Sequence, residues 1–165
     1  MGSRPVLAAA LAGVPMGIQA QGLWIGRRQL FVRFAGPAER ATMYTADALA
    51  RELKRALSRA PFHWICVSGR DALGNADFLA GALEQMDQSH PVMLDTDGQR
   101  PEGIAVVHQY LRLVQITLTP PCEAPLLERA MMTLAAAGRA GLIHSLVIAG
   151  LDETSIPRIR AHIVA

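Results

Sequence analysis

The residues of this 165-residue chain with the chemistry to act at a site are few, and their spacing excludes more than it suggests. His63, His90, His108, His144 and His162 share no H-x-H or H-E-x-x-H spacing, so they spell no zinc site. Two cysteines, Cys66 and Cys122, are too few for a disulfide framework or for a site built on three or four thiolates. Cys66 lies inside an apolar run and reads as a small core side chain. Cys122 follows two prolines in a loop, where a thiol can react, yet no histidine is placed to activate it. Ser68 lacks the G-x-S-x-G elbow of a hydrolase nucleophile. Gly69-Arg70-Asp71-Ala72-Leu73-Gly74 sets a base and an acid behind a glycine turn, without the glycines of a phosphate loop. Asp95 and Asp97 stand two apart at the end of an apolar run, a spacing that can hold a divalent cation but more often caps a turn; the turn reading is preferred. No catalytic constellation is complete, and no metal site is expected.

Composition narrows the partners. The chain is 51% hydrophobic and 18% charged, with a formal charge of +2, which suits one globular domain over 1–165. Fifteen arginines and the single Lys54 face fourteen acids, a balance too even to imply nucleic acid or an anionic membrane. Residues 6–14 form an apolar run behind Arg4, in outline a signal peptide. Pro15 and Gly17 break it well short of the roughly 20 residues that span a bilayer, and the sequence reads straight on into a strand. Residues 1–17 are therefore expected to be an apolar N-terminal extension of a cytoplasmic protein.

The elements that must position these residues follow from periodicity. Short apolar runs at 29–34, 62–68, 92–95, 111–118 and 142–149 read as strands, and amphipathic stretches at 45–58, 77–87, 124–137 and 155–164 as helices. Residues 103–108 fit neither pattern clearly. Strand and helix alternate, so right-handed crossovers predict an α/β fold: a small partial (βα) barrel, with a mostly parallel sheet of about five or six strands and outer helices. Sites on such folds gather at the carboxyl ends of the strands.

One of those ends has a familiar sequence. Gln19-Ala-Gln-Gly-Leu-Trp-Ile-Gly-Arg-Arg-Gln-Leu-Phe-Val-Arg-Phe-Ala-Gly36 resembles the opening of the 7-carboxy-7-deazaguanine synthases, members of the radical S-adenosylmethionine superfamily, which typically reads QGEG-(P/L)-x-x-G-R-x-x-x-F-V-R-x-A-G. Val67-Ser-Gly-Arg-Asp-Ala72 falls where the family has SGGEP, and Leu94-Asp-Thr-Asp-Gly98 where it has an ETNG-like segment. Residues 114–121 fall where it has a strand followed by SPK.

The resemblance implies a cofactor apparatus from which this chain departs. The family's CxxxCxxC motif, which holds a four-iron, four-sulfur cluster, aligns with Pro37, Ala41 and Tyr44, none of them a soft sulfur donor. Arg70 replaces the second glycine of the cofactor-binding segment, Asp71 shortens its acid, and Gly69 is kept. Gln21 replaces a substrate-contacting glutamate, Arg33 is preserved, and Thr45 lies one position out of register with a magnesium-linked threonine. Two functions are then expected. The first is a non-catalytic binding, scaffolding or regulatory subunit without cofactor; the second is a cluster-independent enzyme or binding protein for a pterin- or purine-like heterocycle. Gln21, Arg33, Arg40, Gly69, Arg70 and Asp71 are the candidate ligand- or partner-binding residues. A protein partner or a homodimer is expected, with Trp24, Ile25 and residues 6–14 as its apolar surface or, equally, as packing on their own sheet.

Overall fold

The computed structural model describes residues 6–69 and 71–150, together with 156, 157, 160 and 161. Apart from those last four, which are helical, the helix expected over 155–164 lies outside the described residues.

Among the described residues, eight strands form one mixed sheet: β1 (Ala8–Gly13), β2 (Met16–Ile18), β3 (Arg28–Phe34), β4 (Thr42–Thr45), β5 (Trp64–Gly69), β6 (Val92–Thr96), β7 (Leu113–Leu118) and β8 (Ile143–Ile148). Their order is β4-β1-β3-β5-β6-β7-β8, with β2 also paired to β3. The strands from β3 through β5, β6 and β7 to β8 are parallel and follow chain order, as the five apolar runs predict. The antiparallel strands β1, β2 and β4 correct two expectations. Residues 8–13 and 16–18 are no extension but sheet, and residues 42–45, for which the periodicity predicts no strand, are an edge strand. Alanine is a poor strand former, so Ala-Ala-Ala-Leu-Ala-Gly gave no strand signal. Its alternating burial, with Ala9 and Leu11 inside, comes from tertiary packing.

Helix α1 (Ala46–Arg59) begins where Thr45 Oγ1 accepts the Ala48 amide at 3.2 Å, satisfying one of the free donors of the first turn. Leu49 and Leu53 on its buried face have no exposed surface, and burying each contributes about 1.5–3 kcal/mol. Helix α2 (Ala76–Leu83) follows a 3-10 turn at Ala72–Asn75 and stops short of the expected residue 87. The stretch at 103–108 resolves into the short helix α3 (Gly103–Val107) and a 3-10 turn, and α4 spans Ala124–Arg139. All four pack on one face of the sheet, against a core that includes Leu30, Val32, Ile65, Leu94 and Ile116. None is long and apolar enough to cross a membrane.

The other face carries a smaller cluster: Cys66, Met93 and Leu113, with Phe31, Trp24 and Trp64 against them. Residues 19–27, the hairpin tip between β2 and β3, fold back over it. Their neck is closed by two 2.9 Å bonds, from Gln19 N to Arg27 O and from Gly26 N to Gln19 O.

Candidate functional site

Two regions hold the chemistry, one at the carboxyl edge of β3 and β5, the other beneath the 19–27 strap. At the edge, Gly69 ends β5 at φ 98°, in the region that favours glycine; a Cβ there would stand 2.3 Å from the Phe34 carbonyl oxygen. This tight turn brings residues 35–41 beside residues 71–75, around a cleft of about 510 Å³ lined by Phe34, Pro37, Glu39, Ala41, Asp71 and Asn75.

The charged groups of that cleft are already engaged. Arg33 Nη2 pairs with Glu39 Oε1, while the second Glu39 oxygen accepts the Gly36 amide at 2.9 Å. Asp71 adopts φ 52°, accepts Arg100 Nε at 3.2 Å, and takes the Asn75 side-chain amide on its main-chain oxygen at 3.1 Å. Both ion pairs are about half exposed, where water and salt reduce such contacts to about 0–1 kcal/mol. Arg40 is exposed, and Arg70 lies outside the described residues. The pattern expected from sequence therefore divides: Arg33, Gly69 and Asp71 meet at one edge, whereas Gln21 belongs to the strap.

Under the strap, Gln21 Nε2 donates to Thr117 Oγ1 at 3.2 Å, and Thr117 Oγ1 donates to Asp95 Oδ1 at 2.7 Å. Gln115 Nε2 donates to the other Asp95 oxygen at 3.0 Å, and the Gln19 side chain adds a further bond. Burial pushes the Asp95 carboxyl up from its ordinary range, and these donors only partly oppose the rise. Asp97 parts from it: exposed in the following turn, it accepts the Gln99 amide at 3.2 Å. The turn reading of the pair thus holds for Asp97 alone. No group of three or more His, Cys, Asp or Glu able to hold a metal occurs among the described residues.

Sequence singles out Asp95 only as half of a turn pair, and Gln115 and Thr117 not at all. The signal was present, because two polar residues two apart in Leu-Val-Gln-Ile-Thr-Leu must share one face of a strand. Cys66 is buried as expected, and its thiol is raised further by burial and by Asp95. Cys122, in the loop after the two prolines, is buried as well. His63 packs edge-on against Trp24, ring centroids 4.9 Å apart.

No protein-family model matches the chain. It is similar to a 7-carboxy-7-deazaguanine synthase. That relative, from Methanothermobacter thermautotrophicus (strain ATCC 29096 / DSM 1053 / JCM 10044 / NBRC 100330 / Delta H), is 34% identical over an alignment 122 residues long that covers 64% of this chain and 48% of the relative. The chain thus spans about half the length of the curated relative it matches. A crystal structure of QueE from Escherichia coli superposes with a TM-score of 0.48 at 12% identity, covering 95% of this chain and 90% of that one.

Proposed function

We propose that this chain is a radical-S-adenosylmethionine-like protein without the iron-sulfur cluster, acting in the cytoplasm as a non-catalytic binding, scaffolding or regulatory subunit. Its five parallel strands are read as the partial (βα) barrel of that superfamily. The observation that carries the proposal is the state of the segment aligned with the cluster motif. Pro37 and Ala41 line the edge cleft without a ligand atom, and Tyr44 sits in β4, its hydroxyl hydrogen-bonded to Glu52 and its pKa raised by burial. The residues present do not fit a four-iron cluster: the cleft offers carboxylates already tied to arginines, and the two thiols of the sequence lie buried elsewhere.

Anaerobic reconstitution with iron and sulfide tests this reading. The expected result is no cluster absorbance, with iron binding gained in the triple variant Pro37→Cys, Ala41→Cys, Tyr44→Cys. A stoichiometric four-iron cluster in the natural chain would overturn it. Within this role, Arg40, exposed between the cleft residues Glu39 and Ala41, is a cation able to grip a partner's carboxylates, and a native pull-down should lose its partner, or a homodimer its second copy, in Arg40→Glu.

The second reading, a cluster-independent enzyme or binding protein for a pterin- or purine-like ring, is favoured by Asp95. A half-buried carboxyl with a raised pKa can hold a ring N–H or exchange a proton. A heterocycle co-purifying with the natural chain and absent from Asp95→Asn would select it.

A further inference from the structure

At the amino end of β3, away from the carboxyl-edge cleft, three arginines from two elements line one cleft of about 410 Å³. Arg28 opens the strand, and Arg55 and Arg59 come from the C-terminal half of α1. All three are exposed, and among the described residues no carboxylate lies within 4 Å of any of them. Glu52, the acid that lines the cleft, is hydrogen-bonded to the Tyr44 hydroxyl. Arg28 Cζ stands 5.0 Å from the centre of the Phe62 ring, and its Nη2 meets a sulfur, that of Met16 at 3.8 Å, rather than an oxygen.

Folding alone does not account for this gathering. Arg55 and Arg59 are four apart on one helix face, where like charges repel. Arg59 has a structural reason to be there, since a cation in the last turn of α1 faces the partial negative charge of the helix end. Arg55 and Arg28 have no such reason. The chain as a whole is nearly balanced at +2, so the unmatched charge here is a local concentration. Repulsion of this kind is expected where residues serve something other than stability. Guanidinium forks match the oxygens of phosphate two at a time. Val14 and Ala56 form an apolar wall beside them, which keeps water from one side and strengthens each contact. The cleft has the size of a small-molecule site, for which about 300–1,000 Å³ is usual. Three cations against one engaged carboxylate leave a surplus suited to more than one phosphoryl group.

We propose that Arg28, Arg55 and Arg59 form a binding site for an oligophosphate group, free or carried on a nucleotide. The site rests neither on the missing cluster nor on a protein partner, so it can fail while that reading stands.

Isothermal titration of the full chain at about 0.15 M salt, where long-range attraction is screened, tests it. Inorganic triphosphate and ATP are the probes, and the tighter of the two identifies the source of the group. Saturable binding of at least one is expected, with sulfate at the same ionic strength about tenfold weaker or worse. Arg28→Gln, Arg55→Gln and Arg59→Gln should each lower affinity about tenfold or more, the worth of a lost charged hydrogen bond. Arg28→Lys keeps the charge without the fork and should also lose affinity. Arg139→Gln, which removes an exposed cation from the last turn of α4, should bind as the natural chain does. No saturable binding of either probe would overturn the proposal. So would undiminished binding by Arg55→Gln, or an equal loss in Arg139→Gln, which would mark an effect of net charge. Should Arg28→Gln fail to fold, the two variants on the exposed face of α1 decide alone.

Discussion

Asp95 shows how sequence can misplace a single residue that the fold puts at the centre of a polar network. Next to Asp97 it looks like one half of a turn cap, and only the alternation of β6, with Val92 and Leu94 facing the helices, turns its carboxyl to the strap. There its folded pKa rises above the ordinary 3.8 because burial outweighs the bonds from Thr117, Gln115 and Gln19. A carboxyl raised on folding binds its proton more tightly in the native state, so it lowers stability at neutral pH. As pH falls through the raised value toward 3.8, that cost is removed. His63 has the opposite sign, since burial and Arg27 lower its pKa and acid must charge it. The difference between the natural chain and Asp95→Asn isolates the carboxyl. Urea midpoints measured from neutral pH downward should show the natural chain gaining stability on the variant across that window. A gap independent of pH would place Asp95 in water. Gln21 has a related logic: as an amide it donates to Thr117 and leaves the hydroxyl proton for Asp95, whereas the glutamate expected by resemblance would compete for that proton.

Among the elements, the strap is the least legible and the easiest to test. Its bond from Gln21 to Thr117 spans 96 positions, and no local pattern in 19–27 announces that the hairpin tip folds over the sheet. The two glycines beside Trp24 differ in a way that separates strain from contact. A Cβ on Gly26 meets nothing within 4 Å, whereas one on Gly22 would lie 1.7 Å from the Gln115 side-chain oxygen. Gly26→Ala should therefore cost only the left-handed backbone penalty, about 1–2 kcal/mol. Gly22→Ala adds a collision that must displace Gln115 or lift the strap, so its tryptophan emission should shift to the red while Gly26→Ala keeps the native spectrum. Helix α1 was legible down to its cap, because Thr45 precedes an amphipathic run that reads unambiguously. Thr45→Ala should cost about 1 kcal/mol, read as a fall in the urea midpoint. The left-handed Asp71 turn was half legible: Gly69 marked a sharp bend, but nothing in the sequence said that Arg100 would close on the acid behind it.

At the scale of the molecule, the parallel strands were readable because burial on both faces leaves nearly continuous apolar runs. The antiparallel border was not, because its residues were explained too easily as something else. Residues 6–14 have the length and composition of a signal-peptide core, and their alanines favour helix over strand. In the fold, β1 covers the free edge of β3, pairing Leu11 with Phe34, and carries β4 outside it through Ala8–Thr45 to Leu11–Thr42. Leu11 has no exposed surface and belongs to the same core as Leu30 and Leu49. An appended tail and a structural border strand predict different consequences for truncating that side chain. Surface changes in a tail usually stay within about 0.5 kcal/mol, whereas a fully buried leucine cut to alanine loses about 2–5 kcal/mol through transfer and cavity. Leu11→Ala should fall in the second class and match Leu30→Ala in urea midpoint. The loss should also spread: with β1 loosened, β3 and β4 amides should exchange with deuterium faster, while the pairing of β6 with β7 stays protected to the global limit. A Leu11→Ala chain as stable as the natural one would mean that β1 lies on the sheet without holding it.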